Sequence, residues 1–238
     1  MKGLILAGGK GTRLRPATYT MNKHMVPLLN KPMILYPLHT LKYAGITDIM
    51  IVTGGDHIGS IAEFLGDGSS HGVSLTYRVQ TEAGGIAQAL GLAKDFVGQD
   101  SVTVILGDNI YENESLPPTL PQGVGVDRAM FFLAKVEDPE RFGVPTIENG
   151  LITHITEKPS NPQSNYAVTG LYIYPANVFE IIPTLTPSAR GELELSDVNN
   201  WYVQNKKCAH HILTGFWSDA GTRDSLKEVI DWAHAREK

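Results

Sequence analysis

Near the start of the chain the apolar run Gly3-Leu-Ile-Leu-Ala7 leads straight into Gly8-Gly-Lys-Gly-Thr-Arg-Leu-Arg-Pro16. Glycines at 8, 9 and 11 have access to backbone conformations closed to other residues and put no side chain in the way. Their N–H groups can therefore converge on phosphate oxygens. Arg13 and Arg15 add guanidinium forks that match phosphate geometry, and Lys23 follows within reach of the same group. Two further segments place a carboxylate at a turn after a short apolar stretch: Leu106-Gly-Asp108-Asn and Trp217-Ser-Asp219-Ala-Gly221. Two separated carboxylates plus phosphate oxygens would complete a magnesium shell against a triphosphate.

Spacing excludes two common phosphate loops. A Walker-type loop needs Gly-Lys-Ser/Thr at its end, and here Lys10 precedes Gly11 and Thr12. A dinucleotide fingerprint needs a third glycine where Leu14 stands, with an acidic residue about twenty positions on, where the chain is apolar around Ile34.

Other constellations suggest the rest of a two-substrate site. Gln80, in Val79-Gln-Thr-Glu-Ala-Gly84-Gly85, offers one acceptor and two donors, which suits the edge of thymine or uracil. Because the amide can flip, cytosine stays open. Gly85 would let backbone approach the base. Glu157-Lys158-Pro159 sets a carboxylate for sugar hydroxyls beside an ammonium for the sugar's phosphate. Gly68-Ser-Ser70-His-Gly72 matches a hydrolase elbow in letters but has helix and strand in reversed order. His210-His211 falls in an expected strand, where neighbours face opposite ways and cannot share a metal.

The elements that must hold these residues read as alternating strands and helices. Apolar runs predict strands over 3–7, 49–53, 73–79 and 102–106, with helices over 32–43, 57–65 and 85–96 between them. The second half predicts strands over 129–136, 143–147, 151–156 and 168–174, then helices over 193–204 and 225–235. The expectation is one α/β domain over 1–238, built on a mixed, mostly parallel central sheet flanked by helices. Ligands belong at the carboxyl ends of its strands.

Composition bounds the function. The chain has 238 residues, enough for one large core, and a net charge of -5 with its Lys/Arg scattered. Nucleic acid is therefore not an expected partner. A lone Cys208 rules out an internal disulfide and fits a reducing compartment. The apolar start is too short for a signal peptide, and no run approaches a membrane span. The expectation is a cytoplasmic protein without membrane contact.

The stretch Gly8-Gly-x-Gly-Thr-Arg-Leu-x-Pro16 resembles the signature of the sugar-1-phosphate nucleotidyltransferase family. Further matches follow in order at Lys23, Pro32-Met33, Gln80 with Gly84-Gly85, Gly107-Asp-Asn-Ile110, Asp138-Pro-Glu-Arg-Phe-Gly-Val144, Glu157-Lys-Pro159, Asn165-Tyr-Ala-Val-Thr-Gly170, Ser188-Ala-Arg-Gly-Glu-Leu-Glu194 and Asp219-Ala-Gly-Thr222. The chain is most similar to that family's short glucose-1-phosphate thymidylyltransferases. The resemblance implies a Rossmann-like, GT-A-like core that uses Mg²⁺ to make dTDP-glucose and pyrophosphate from dTTP and α-D-glucose 1-phosphate. That activity opens deoxysugar routes of the dTDP-rhamnose kind. It also implies Leu6, Ala7, Gly8, Gly9, Gly11, Thr12 and Arg13 on the nucleotide, Lys23 at its phosphates, and Gln80 and Gly85 at the base. Asp108 and Asp219 become the metal ligands, with Asp108 also at the nucleotide. Phe142, Gly143, Glu157, Lys158 and Val168, with Arg190 and Trp217 nearby, become the sugar side. Catalysis would rest on Arg13, Lys23, Asp108 and Lys158.

The chain departs from the longer members in three ways. His24 stands where they carry Gln, which would alter a base or ribose contact, and Phe142 stands where they carry Tyr. The sequence ends at Lys238, short of their C-terminal helical extension, so their feedback control and tetramer are not expected to carry over, and self-association stays open. Use of UTP or CTP is the alternative within the same chemistry. A sugar-nucleotide sensor without activity is the alternative outside it, and it would be expected to lack Arg13, Asp108 or Asp219, all of which are present.

Overall fold

The computed structural model describes residues 1–56 and 58–236. In chain order its first elements are β1 (Lys2–Ala7), β2 (Pro27–Leu28), β3 (Lys31–Pro32), α1 (Leu35–Tyr43), β4 (Asp48–Gly54), α2 (Ile58–Leu65) and β5 (Ser74–Gln80). Then come α3 (Ile86–Gly91), α4 (Lys94–Val97), β6 (Val102–Leu106), β7 (Asn109–Tyr111), β8 (Ala129–Lys135), β9 (Gly143–Glu148), β10 (Leu151–Glu157) and β11 (Tyr166–Tyr174). The last are α5 (Val178–Ile181), α6 (Leu195–Gln204), β12 (Cys208–Ile212), β13 (Trp217–Asp219) and α7 (Arg223–Arg236). The result is an α/β fold on a mixed central sheet flanked by helices, as expected.

By contacts the chain forms two compact units. The N-terminal unit comprises residues 2–81, 105–113 and 215–238, and the middle unit comprises residue 1, 82–104 and 114–214. Strand β6 supplies residues to both.

The strand order in the N-terminal unit is β6-β1-β4-β5. Its β1 and β4 are apolar on both faces, as parallel strands covered on both sides require, and pair from Gly3↔Ile49 to Ala7↔Thr53. The Thr53 hydroxyl donates to the Ala7 carbonyl at 3.0 Å, closing the end of the ladder where the glycine loop begins. Beneath that loop Leu14, Val26, Leu28, Met33, Ile110, Ala220 and Val229 form an apolar cluster, with Phe216 and Trp232 stacked against it.

The middle unit carries the order β10-β9-β11-β6, with β8 paired to β11 and β12. The pair β12/β8 is parallel, while β11/β8 and β10/β9 are antiparallel. Its core centres on Tyr174 and Tyr202, stacked at 5.8 Å and both fully buried. Their hydroxyls donate to Asn199 and Asn177 at 2.6 and 2.8 Å, so neither ring leaves a polar atom unpaired.

The departures from the sequence reading have local causes. The helix expected from 32 begins at Leu35 because Lys31 and Pro32 pair with Leu28 and Pro27 in a small hairpin. The helix expected over 85–96 breaks into α3 and α4 after Gly91. The helix expected from 193 begins at Leu195, because the Leu193 backbone bonds Gly84 and Ala87 instead. Residue 57, expected to open the second helix, lies outside the described residues.

Tyr174→Phe removes the donor to a buried Asn199 and leaves its Oδ1 unpaired. A loss of about 1–3 kcal/mol is expected in urea denaturation.

Candidate active site

The N-terminal unit gathers the phosphate and metal residues. The pairing of β13 with β7 is what brings the carboxylates together: Asp219 opposes Asn109, and the Ala220 N–H donates to the Asp108 carbonyl at 2.8 Å. Gly221 sits where they meet. A Cβ there would lie 3.2 Å from Arg13 Nη2, 3.3 Å from Asp219 Oδ2 and 3.5 Å from Asp108 Oδ2. Arg13, Asp108 and Asp219 thus converge on one point.

Asp108 is held on both oxygens. Lys23 Nζ reaches Oδ2 at 2.6 Å, and Asn109 Nδ2 donates to Oδ1 at 3.1 Å. Asn109 is itself oriented by the Trp217 indole N–H, which donates to its Oδ1 at 2.8 Å. Burial pushes the Asp108 carboxyl up, but the Lys23 charge, the influence of His24 and these two hydrogen bonds outweigh it. They hold it well below the usual carboxylate range. Asp108 is therefore an anion at any working pH.

The glycine loop wraps Lys23. Gly11, at φ 59°, would place a Cβ 2.8 Å from Lys23 Cβ and 3.0 Å from Thr18 Cγ2, so no side chain fits. Thr18 seals the turn by donating to the Gly11 carbonyl at 2.6 Å. Gly9 also takes a positive φ, of 98°, whereas Gly8 does not. What Gly8 contributes is closeness, since its Cβ position lies 3.5 Å from Gln80 Oε1 at the end of β5. Thr12 opens a short 3₁₀ turn that Arg15 closes, and both Thr12 and Arg13 are exposed. Leu6 and Ala7 are buried strand residues, so only their backbone could meet a nucleotide.

His24, which stands where the longer family members carry Gln, is enclosed by its neighbours. It is 1% exposed, with Nδ1 and backbone N–H 2.8 and 2.7 Å from Asn22 Oδ1 and its ring packed on Gly107. It lies beside Gly107, next to Asp108 in the chain.

Most residues expected on the sugar side lie in the middle unit. Glu157 pairs with Gly143 across β10/β9, and Gly143 pairs with Val168 across β9/β11, so three expected residues form one row over adjacent strands. Successive strand residues face opposite sides, so Lys158 should point away from Glu157. It does not, because its backbone is left-handed at φ 44°, anchored by its N–H to the Phe142 carbonyl at 2.9 Å. Its ammonium comes back to 3.1 Å from Glu157 Oε1. A non-glycine residue in this conformation is uncommon and stores strain. Arg190 is exposed and held by Glu194 at 2.8 Å. Arg141 lies over the Phe142 ring at 5.1 Å.

Three further expected residues divide between the units. Trp217 belongs to the N-terminal unit, where its indole N–H donates to Asn109 Oδ1 at 2.8 Å. Gly85 lies in the middle unit and Gln80 in the other. Gly85 has φ 96°, and a Cβ would come within 2.5 Å of the Leu193 carbonyl oxygen, so packing alone requires a glycine there.

Two residues escape the sequence reading. Tyr172 is buried on β11, and burial together with the Glu157 charge pushes its hydroxyl up, so it stays a donor near that carboxylate. Ser196 donates to Glu157 Oε2 at 2.9 Å. Both lie far from Glu157 in sequence, and only the β9–β11 register and the placement of α6 reveal them.

For a divalent cation the donor set fits. Two hard carboxylate oxygens flank a space that a single Cβ would fill, and among the described residues no cluster of three metal-ligating side chains exists. Such a site is completed by phosphate oxygens and water, which is how Mg²⁺ is usually held against nucleotides. Gly68 to Gly72 forms a 3₁₀ turn between α2 and β5, so the elbow resemblance is empty.

An α/β sheet with phosphate-gathering groups at its strand ends defines a nucleotide-handling enzyme. The sequence matches the nucleotidyl transferase family over residues 2–235, and the chain belongs to that family. A glucose-1-phosphate thymidylyltransferase of Neisseria meningitidis is 46% identical over 98% of this chain and 82% of its own length. A solved Bacillus anthracis protein, provisionally described as a glucose-1-phosphate thymidylyltransferase and bound to sucrose, is 51% identical with a TM-score of 0.93, covering 98% of this chain and 95% of that one. A UDP-glucose pyrophosphorylase solved with UDP-glucose is 25% identical with a TM-score of 0.84, covering 100% and 99%.

Loss of the Lys23 partner has a pH signature. A carboxyl whose folded pKa is depressed stabilises the fold above about pH 4 and loses that contribution as pH falls. Lys23→Met removes the main cause of the depression. The fall in Tm between about pH 5 and 3 is therefore expected to be shallower in the variant than in the parent, read by scanning calorimetry.

Proposed function

We propose that the protein transfers a thymidylyl group from dTTP to α-D-glucose 1-phosphate, forming dTDP-glucose and releasing pyrophosphate, with Mg²⁺ as its divalent cation. The convergence of Arg13, Asp108 and Asp219 at Gly221, with Lys23 against Asp108, is the observation that carries this reading. It is the arrangement that a polyphosphate and its cation require.

The chemistry needs no covalent nucleophile. A sugar phosphate monoester has its second pKa near 6, so it is mostly a dianion at neutral pH and needs no general base. One of its oxygens attacks the α-phosphorus of dTTP in line, the bond to the β-phosphate oxygen breaks, and pyrophosphate leaves with the electron pair. Arg13 and Lys23 neutralise the triphosphate, and Lys158 neutralises the attacking phosphate. Asp108 and Asp219 would hold Mg²⁺, which supplies further charge stabilisation on phosphate oxygens. Glu157 accepts from sugar hydroxyls while Tyr172 and the backbone at Gly143 and Val168 line the row beside it. Positioning and charge do the rest.

Gln80, with Gly8 beside its Oε1, is suited to the donor and acceptors of thymine. Uracil presents the same edge, so preference for dTTP rests on the likeness to thymidylyltransferases. No described helix is long and apolar enough to cross a membrane, and we place the reaction in the cytoplasm.

Asp108→Asn and Lys158→Ala are each expected to cut turnover about a hundredfold or more, measured as pyrophosphate release from dTTP with α-D-glucose 1-phosphate. Either variant running near the parent rate would overturn the assignment.

A further inference from the structure

Glu157 has a second support that its own strand does not provide. Strand β10 ends the sheet order of the middle unit, so the backbone groups on its outer edge need partners from elsewhere. Helix α6 supplies them. Asn200 accepts from the Ile155 N–H at 2.8 Å and donates to the Ile155 carbonyl at 2.7 Å, pairing with the edge as another strand would. One turn earlier on the same helix, Ser196 donates to Glu157 Oε2 at 2.9 Å. A two-residue strand step is about 6.6 Å and a helical turn 5.4 Å, so residues i and i+4 of the helix can meet residues j+2 and j of the strand together.

The hydroxyl of Ser196 has other possible uses and takes none of them. Glu194, at the N-cap position, makes no side-chain capping bond, yet the buried Ser196 turns to the carboxylate and not to the helix backbone. A buried serine whose one donor goes to a functional carboxylate is there to aim it. Lys158 alone, at 3.1 Å from Oε1, would leave the carboxylate free to pivot about that contact. With Ser196 on Oε2 both oxygens are fixed, and each keeps an acceptor site for a ligand hydroxyl. The early turn of α6 also favours a negative charge at its end.

We propose that Ser196 is a positioning residue for sugar-phosphate recognition, aiming the Glu157 carboxylate from α6, with Asn200 setting the height of the helix against β10. The proposal rests on the reading of Glu157 as a sugar ligand, and the test separates the two. Steady-state constants for both substrates are measured in Ser196→Ala, Ser196→Thr, Glu157→Gln and the Ser196→Ala/Glu157→Gln double variant, with Tm recorded for each. Ser196→Ala is expected to raise KM for glucose 1-phosphate about tenfold, the scale of a lost hydrogen bond to a charged group, while KM for dTTP stays within about twofold. Ser196→Thr keeps the hydroxyl and restores the parent value. In the Glu157→Gln background the same Ser196→Ala change adds little, because the group it aims has changed. A sugar KM unmoved by Ser196→Ala, or an equal further loss in the Glu157→Gln background, would overturn the positioning role. A sugar KM unmoved by Glu157→Gln would overturn the sugar-site reading itself and the role that depends on it. Should Ser196→Ala not fold, Ser196→Cys, a weaker donor of similar size, must show an intermediate loss for the proposal to stand.

Discussion

Asp108 and Asp219 carry like charge and point their Oδ2 atoms at the same small space beside Gly221. Such an arrangement is unfavourable unless positive charge is close, and the N-terminal unit is organised to supply it. Lys23 stands on Asp108 Oδ2, Arg13 stands beside both carboxylates, and Asn109 fixes the remaining Asp108 oxygen. The short β7/β13 ladder holds the two acids in register, and Ile110 and Ala220, each just past an acid or its neighbour, sink into the apolar cluster under the glycine loop. Core packing and site chemistry thus share the same few residues. The Lys23–Asp108 pair is nearly buried, so screening by water is weak.

The middle unit solves a different problem with a strained backbone. Two adjacent residues at a strand end, one anionic and one cationic, must act on the same side. The left-handed turn at Lys158 accomplishes that, and the β10-β9-β11 register lines Gly143 and Val168 up beside them. Glycine at 143 leaves its backbone open, and a Cβ there would already touch Ile155 and Glu157 at 3.4 and 3.5 Å. The charged groups around Asp108 thus belong to one unit and the Glu157–Lys158 pair to the other.

Residues whose chemistry depends on local sequence are legible from the amino acids alone. The glycine loop, Arg13, Lys23 and the strand-end acids Asp108 and Asp219 stand out by type and spacing, and the structure brings Arg13 and both acids together beside Gly221. The parallel strands of the first half are equally plain, since strands covered on both faces are continuous apolar runs. What escapes depends on distant partners. The β7/β13 ladder is three residues long and joins positions about a hundred apart, too short to show a period. Ser196, Asn200 and Tyr172 look like ordinary helix and strand residues until β10 and β11 are set beside them. The burial of His24 against Asn22 and Gly107 is likewise invisible in the sequence.

The proposed activity needs a nucleoside triphosphate and a hexose 1-phosphate, with dTTP preferred. It is tested most directly by following pyrophosphate release with α-D-glucose 1-phosphate and Mg²⁺ across dTTP, UTP, CTP, ATP and GTP, identifying the product by phosphorus NMR. The highest kcat/KM is expected with dTTP, and dTDP-glucose is expected as the product. Absence of release with every nucleotide, across a panel of hexose 1-phosphates, would contradict it.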